Sequence, residues 1–360
     1  MDSRANSPAH RATSGRPRLG FLGVGWIGRR RLGAIVQEGA GEPVALVDPL
    51  PENLRQATEL APGAAHLSSF EELLAFDLDA IVIATPSALH AEQSIAALTR
   101  GLAVFCQKPL GRSADEVCEI IDTARRVDRL LGVDLSYRHT AGLRKIRELI
   151  QAGELGEIFG VDLVFHNAYG PQAPWFYDPQ LSGGGCVIDL GIHLVDAALW
   201  VLDSLVVSVS SRVFAGGRPL APHGAAVEDY AVARLDLASG AVVQLACSWR
   251  LHAGRDAVIE AAFYGTRGGA AMRNVHGSFT EFRSELYRGT TPELLSEPPD
   301  VWGGRAAVAW ARQLATSASF DSEVERQIEV ATALDAIYGR ENAAALVQAG
   351  GWRGAPPIPT

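Results

Sequence analysis

The pattern of apolar and polar residues changes near residue 138. Before that point, short apolar runs alternate with segments of helical spacing, as is typical of buried parallel strands connected by helices. Strands are predicted at residues 19–22, 44–47, 79–84, 102–106 and 130–134. Helices are predicted at 29–38, 52–60, 70–75, 88–100 and 113–128. This order predicts an α/β domain with a doubly wound parallel sheet at residues 18–138.

After residue 138 most predicted elements are strands. Two helices, at 142–152 and 189–201, precede the strand-like stretches 206–214, 230–237, 241–249, 258–264 and 270–274. Consecutive strands with short turns predict an α+β domain with a large, mostly antiparallel open sheet, which we place at 139–360. A final helix is predicted at about 322–348, whereas residues 280–305 show no clear pattern.

A glycine-rich turn joins the first predicted strand to the first predicted helix. It reads Gly23-Val24-Gly25-Trp26-Ile27-Gly28, and Asp48 ends the next strand 20 residues beyond Gly28. The first glycine of such a turn permits a tight bend, the second lets the backbone approach a pyrophosphate, and the third lets helix pack on strand. Asp48 then lies where a carboxylate binds the adenine ribose hydroxyls. A glycine-rich turn of an unrelated α/β protein is the alternative, but strand, helix and acid together favour a Rossmann domain.

Two later strand ends carry polar residues at the same edge of the predicted sheet. Thr85-Pro86-Ser87 follows one buried strand, and Gln107-Lys108-Pro109 follows the next. Open α/β sheets bind ligands at the carboxyl ends of their strands, so a lysine at this position points to a cleft. The alternative is a surface lysine at a strand end.

A third motif runs from Gly183-Gly184-Gly185 through Asp189 to His193. Asp189 and His193 are four residues apart, so they share one face of any helix that contains them. With Lys108 they could move a proton beside a bound cofactor. They could also be a satisfied polar pair or two metal ligands, but a catalytic zinc needs about three protein ligands and the sequence supplies no third. We therefore predict no metal.

In order and spacing, these motifs resemble the glucose-fructose oxidoreductase/inositol dehydrogenase/rhizopine-catabolism (Gfo/Idh/MocA) family over roughly residues 18–350. The resemblance implies a two-domain NAD(P)-dependent oxidoreductase that acts on sugars or cyclitols, often as a dimer or tetramer built on the open sheet. One departure is Gln107, where the family usually has glutamate; the amide keeps hydrogen-bonding capacity but loses the charge. The implied cofactor contacts come from Gly23, Gly25, Trp26, Ile27, Gly28, Asp48, Thr85, Pro86, His90, Gln107 and Lys108.

Composition and charge limit the classes of binding partner and predict the cellular compartment. A net charge of −9 argues against nucleic acid or an anionic membrane as the main partner. No segment reaches about 18 consecutive apolar residues, and residues 1–17 have no apolar core of a signal peptide, so we predict a disordered leader. The four cysteines show no metal-binding spacing and are expected to be reduced in a cytoplasmic protein.

The favoured function is a dehydrogenase in which His193 acts as general base, Asp189 fixes its tautomer, and Lys108 holds the substrate oxygen. Arg138 is expected to contact the substrate, and the aromatic residues Trp175 and Tyr177 either wall its pocket or simply pack. NAD is expected over NADP, because Pro49-Leu50-Pro51 after Asp48 offers no group to neutralise a 2′-phosphate. The alternatives are an NAD-dependent glycosidase that uses transient oxidation and a non-catalytic, dinucleotide-sensing regulator, which would have little need for Lys108, Asp189 and His193.

Overall fold

A six-stranded parallel sheet forms the first part of the chain in the computed structural model, which describes residues 15–220 and 226–340. Its strands are β1 (Arg18–Leu22), β2 (Glu42–Val47), β3 (Ala65–His66), β4 (Ala80–Ile83), β5 (Ala103–Cys106) and β6 (Leu131–Val133). They lie in the order β3-β2-β1-β4-β5-β6 with parallel neighbours. The strand order reverses between β1 and β4, where open α/β sheets have their ligand crevice.

Helices cover both faces of this sheet. They are α1 (Trp26–Gln37), α2 (Pro51–Thr58), α3 (Phe70–Leu74), α4 (His90–Thr99) and α5 (Ala114–Val127). Leu19 and Phe21 of β1 pack into one apolar cluster, and Leu22 packs into another on the opposite face. Because both faces are buried, the strands read as continuous apolar runs. The predicted doubly wound sheet is confirmed.

The second sheet has nine strands in the order β15-β14-β13-β12-β7-β11-β10-β8-β9. All its described pairs are antiparallel except β7 with β11. One face carries helices and the other is open, which confirms the predicted α+β domain. The elements are α6 (Ala141–Gln151), β7 (Ile158–Asn167), α7 (Pro179–Ser182), α8 (Ile192–Leu202), β8 (Val206–Ala215), β9 (Arg218–Pro219), β10 (Tyr230–Leu237), β11 (Val242–Ser248), β12 (Ala257–Gly265), β13 (Gly269–Asn274), β14 (Phe282–Arg288), β15 (Thr291–Ser296), α9 (Arg305–Leu314) and α10 (Arg326–Tyr338).

Helix α9 returns to the first sheet late in the chain. Its Trp310 packs against Phe105 of β5, with ring centroids 5.4 Å apart. A Cβ atom on Gly132 of β6 would lie 2.6 Å from the Trp310 ring, so glycine makes room for the indole. The boundary at 138/139 stays a prediction, but this packing places residues 305–314 on the first sheet.

The predictions for the first residues and for the final helix differ in detail from the structure. Helix α10 ends at Tyr338, because Gly339 adopts a left-handed conformation (φ 67°). The predicted extension to 348 falls partly on residues 341–360, which lie outside the described residues, as does most of the predicted leader. Within that leader, Pro17 is buried and its carbonyl oxygen accepts a hydrogen bond from the Glu42 N–H (2.8 Å), which corrects the predicted disorder at this residue.

One helical stretch, Pro179–Leu202, is long and apolar enough to cross a membrane by length and composition alone. Within its most apolar window, 78% of the residues are buried inside the protein. A core helix has the same character, so this stretch is weak evidence for a membrane segment.

Candidate active site

The turn after β1 has room for a side chain at Gly25 but none at Gly23 or Gly28. A Cβ atom on Gly23 would lie 2.5 Å from the Ala84 carbonyl oxygen, and one on Gly28 would lie 2.1 Å from the Gly23 carbonyl oxygen. At Gly25 the nearest atom would be 3.9 Å away. Gly25 is also the N-cap of α1, and among the described residues no side chain caps the first helical N–H groups. This cradle fits a pyrophosphate.

Asp48 is held firmly at the end of β2. Its carboxylate accepts hydrogen bonds from the Val24 N–H (2.8 Å), the Leu50 N–H (2.9 Å) and the Asn53 side-chain amide (2.9 Å). The Arg29 guanidinium donates to the Asn53 side-chain oxygen (3.1 Å), so a cation lies at this corner. Arg29 and Asn53 were not predicted, because α1 and α2 bring them together only in the fold.

His90 is buried between the segments that follow β4 and β5. It is 1% exposed, and its two ring nitrogens lie 2.7 Å from the Pro109 carbonyl oxygen and 2.8 Å from the Thr85 carbonyl oxygen. Burial lowers the pKa of His90. These contacts correct the prediction that His90 binds the cofactor directly, since both nitrogens are already engaged. Thr85 Oγ1 likewise donates to Gln93 (2.6 Å).

Gln107 belongs to a buried polar network at the end of β5. Its side-chain amide donates to the Asp134 carboxylate, which also forms an ion pair with Arg31 and accepts from the Ser136 hydroxyl. A glutamate at position 107 would place a second carboxylate against Asp134, whereas the amide supplies a donor. The predicted contact of Gln107 with the cofactor stays a prediction. Asp134 was not predicted as part of the site. The sequence feature that could have identified it is its position directly after β6.

Lys108 and Asp189 meet across the two domains. The Lys108 ammonium donates to the Asp189 carboxylate (2.8 Å) and to the Asp189 carbonyl oxygen (2.7 Å). The second carboxylate oxygen accepts from the Trp249 indole N–H (3.1 Å). The side chains of Lys108 and Asp189 are 18% and 15% exposed, so the pair is mostly buried but still reached by solvent. Trp249 was not predicted, because nothing local in the sequence connects it with Asp189.

His193 lies beside this pair without a hydrogen bond to Asp189. A π-helical turn at Val187–Gly191 precedes α8, so four residues do not complete a turn here. Among the described residues, the buried Nδ1 atom of His193 has no partner, and the ring stacks on Tyr137 at 5.0 Å. Burial, followed by the charges of Lys108 and Arg31, lowers the pKa of His193 well below its usual range. The predicted fixing of the tautomer by Asp189 is therefore corrected.

The Arg138 guanidinium forms ion pairs with two carboxylates. It binds Asp196 in a two-pronged ion pair, with a Nε to Oδ2 distance of 2.8 Å, and lies 3.6 Å from Glu323. Asp196 is 1% exposed. Because these carboxylates occupy the guanidinium, the prediction that Arg138 binds substrate is corrected to a structural role. Asp196 is therefore a structural hydrogen-bonding residue.

An aromatic segment packs against Trp249, the partner of Asp189. Trp175 and Phe176 stack at 3.8 Å, and the ring of Tyr177 meets the edge of Trp249 at 5.7 Å. Trp249 contacts both this segment and the Asp189 carboxylate. The predicted contacts of Trp175 and Tyr177 with substrate stay a prediction. Within residues 15–220 and 226–340, no group of three or more potential metal-binding side chains occurs.

Comparisons with known proteins agree with this architecture. Residues 18–135 match the model of an oxidoreductase family with an NAD-binding Rossmann fold, and residues 143–271 match the GFO/IDH/MocA C-terminal domain. A D-glucoside 3-dehydrogenase from Escherichia coli (strain K12) is 30% identical over 260 residues, which cover 68% of this chain and 73% of the relative.

A second relative spans nearly the whole chain. It is assigned by name as a UDP-kanosamine synthase oxidoreductase subunit of Amycolatopsis mediterranei (strain S699), with 31% identity over 94% of this chain and 98% of the relative. The solved structure of levoglucosan dehydrogenase with NADH and levoglucosan shares the fold, with a TM-score of 0.75, 20% identity and coverage of 92% of this chain and 97% of that one. The chain belongs to the Gfo/Idh/MocA family of oxidoreductases.

Proposed function

We propose that this protein is an NAD-dependent dehydrogenase or reductase that transfers a hydride between nicotinamide and a secondary carbinol or ketone carbon of a sugar or cyclitol. The observation that carries the proposal is the meeting of Lys108, Asp189 and His193 at the carboxyl end of β5, beside a glycine turn that fits a dinucleotide. Relatives named as a glucoside dehydrogenase and an inositol 2-dehydrogenase support the substrate class.

Each residue of the site has a separate task. Bound NAD would supply the hydride acceptor at the end of β5. The Nδ1 atom of His193 is buried, so Nε2 is the ring nitrogen left to take the hydroxyl proton from a substrate. The Lys108 ammonium stabilises the negative charge that develops on the substrate oxygen, and Asp189, fixed by Trp249, orients that ammonium.

A panel of sugars, glycosides, cyclitols and sugar acids, read by NADH absorbance, tests the proposal. We expect NADH formation with at least one class, at a rate at least about a hundredfold lower in the His193→Ala variant. Cleavage of a glycoside without net NADH would support the glycosidase alternative instead. Cofactor binding without turnover on any class would favour a regulator.

We predict that NAD is used in preference to NADP and that Asp48→Asn narrows the difference in kcat/KM by about tenfold. A carboxylate repels a 2′-phosphate, and a charge pair near a protein surface is worth on the order of 1–4 kcal/mol. Asparagine keeps the size of Asp48, whereas alanine would also lose its contacts to Val24, Leu50 and Asn53. Initial rates with both cofactors measure the ratio.

Arg29 provides the control for this prediction. Its guanidinium donates to Asn53, and the Asn53 amide donates to Asp48, so Arg29 should bind the phosphate once the carboxylate is gone. Arg29→Met in the Asp48→Asn background should abolish the gain. A wild-type kcat/KM for NADP equal to or above that for NAD would refute the assignment.

We also predict a homodimer or homotetramer and a cytoplasmic location. The open face of the second sheet has a shallow groove that includes Val164, Val232 and Ala246, all half-buried, between charged residues such as Arg234. Another copy of the chain would cover these side chains. Light scattering at micromolar concentration should give at least twice the chain mass of 38.3 kDa. A monomer mass would contradict the prediction.

A further inference from the structure

Glu228, a buried carboxylate outside the reacting groups, binds the start of the helical segment that carries Asp189 and His193. We infer that Glu228 is a positioning residue for this pair, a role that rests on the proposed function. It is 1% exposed and lies at the start of the segment that leads into β10. Its importance follows from what its oxygens bind.

The Glu228 residue accepts three consecutive main-chain N–H groups. Its side-chain oxygens accept from Gly185 N–H (2.9 Å) and Val187 N–H (2.9 Å), and its main-chain oxygen accepts from Cys186 N–H (3.1 Å). The helical segment begins here, with the Asp189 N–H donating to the Gly185 carbonyl oxygen (3.0 Å). A residue distant in sequence therefore caps the segment, instead of a side chain of its own first turn.

The fourth N–H is reached through a tyrosine. Ile188 N–H donates to the Tyr338 hydroxyl (3.1 Å), and that hydroxyl donates to Glu228 Oε1 (2.9 Å). Tyr338 is the last residue of α10. The four N–H groups from Gly185 to Ile188 thus all depend on Glu228, three directly and one through Tyr338.

The glycine motif is explained by this arrangement. A Cβ atom on Gly184 would lie 2.1 Å from the Tyr338 hydroxyl, and one on Gly185 would lie 1.9 Å from the Glu228 carbonyl oxygen. Both distances are below any real contact, and the clashing groups are fixed by hydrogen bonds. Glycine is therefore required so that Glu228 and Tyr338 can reach the helix start.

The charge of Glu228 suits this position. No basic side chain forms an ion pair with it among residues 15–220 and 226–340, so helical N–H groups and a hydroxyl supply its partners. A helix start favours a negative charge, and a carboxylate offers only acceptors. Burial raises the pKa of Glu228, while the N–H groups act in the opposite direction. Glutamine would instead turn an amide N–H group toward a main-chain N–H.

Glu228→Gln tests the inference, with Glu281→Gln, an exposed residue of the same domain, as the matched control. We expect Glu228→Gln to lower kcat at least about tenfold, because several hydrogen bonds to a charged group are disturbed, while the Kd for NAD changes less than about twofold. Tyr338→Phe removes the hydroxyl that joins the Ile188 N–H to Glu228, and with it two hydrogen bonds, and should lower kcat by about two- to tenfold. The control should retain wild-type kcat.

The pH profile separates positioning from general damage. In wild-type protein, protonation of Glu228 at acid pH should mimic the amide, so the ratio of wild-type to Glu228→Gln kcat should shrink as pH falls. Damage unrelated to the charge would leave the ratio constant. A folded Glu228→Gln variant with kcat within about twofold of wild type, or a constant ratio, would overturn the inference; if that variant does not fold, an unchanged kcat in Tyr338→Phe would do so.

One readout is independent of turnover, so that failure of the proposed function can be told apart. The imidazole NMR signal of His193, identified by its loss in His193→Ala, should shift in Glu228→Gln and stay in place in Glu281→Gln. An unchanged signal would overturn the inference. A shifted signal in a protein without turnover on any substrate would refute only the proposed function.

Discussion

His193→Ala should lower kcat for alcohol oxidation by at least about a hundredfold and leave NAD binding nearly unchanged. Removing a hydroxyl proton while hydride leaves requires a base within hydrogen-bond reach, and loss of a positioned base usually costs about 10²- to 10⁴-fold. His193 lies on α8 and is not part of the glycine turn that fits the nucleotide, so the nucleotide should still bind. Stopped-flow turnover and quenching of Trp26 fluorescence measure the two quantities, since Trp26 is 66% exposed beside that turn.

The pH profile gives a second check on His193. A general base must be unprotonated, and burial with the nearby charges of Lys108 and Arg31 lowers the pKa of His193 well below 6.5. The base form is therefore present throughout the neutral range, and kcat/KM should fall only at pH values below 6.5. An acid limb above 6.5, or near wild-type turnover in His193→Ala, would contradict this assignment and strengthen the regulator alternative.

Lys108→Ala should also lower kcat at least about a hundredfold. The ammonium stabilises charge on the substrate oxygen, and its loss leaves the mostly buried Asp189 carboxylate with only the Trp249 contact among the described residues. The expected loss is larger than for a surface ion pair, because the side chains of Lys108 and Asp189 are mostly buried. Turnover and NAD affinity are measured as for His193.

The chain offers a simple control for this experiment. Lys108 and Lys145 are its only lysines, and Lys145 is exposed on α6, where its ammonium donates to the Leu295 carbonyl oxygen. Lys145→Ala should keep wild-type kcat. If Lys108→Ala turned over the true substrate at a near wild-type rate, Lys108 would have no catalytic role.

Local signals predicted the parts of the fold that depend on neighbouring residues. The apolar runs of the first sheet and the turn from Gly23 to Gly28 follow from burial on both faces and from close backbone contact. Strand β7 was missed although Val161, Leu163 and Phe165 alternate as a half-buried strand should. Strand β15 was missed because its residues Thr291–Leu294 are exposed and carry little apolar pattern.

Part of the candidate site was predicted because its residues have local sequence signals. Lys108, Asp189 and His193 have local signals, namely a strand end and a helical spacing, and the structure brings all three together. The partners that fix them come from distant segments, as with Trp249 on Asp189 and Asp134 on Gln107. No spacing rule identifies such pairs. The π-helical turn, which separates Asp189 from His193, depends equally on tertiary packing.

The return of α9 to the first sheet has a consequence for how the protein folds. Trp310 fills the space above Gly132 and beside Phe105, so the nucleotide-binding half completes its core with residues made near the end of the chain. A fragment that stops at residue 138 would leave this apolar surface in water. We therefore expect the two halves to fold as one cooperative unit after synthesis has passed residue 314. They should not fold one after the other on the ribosome.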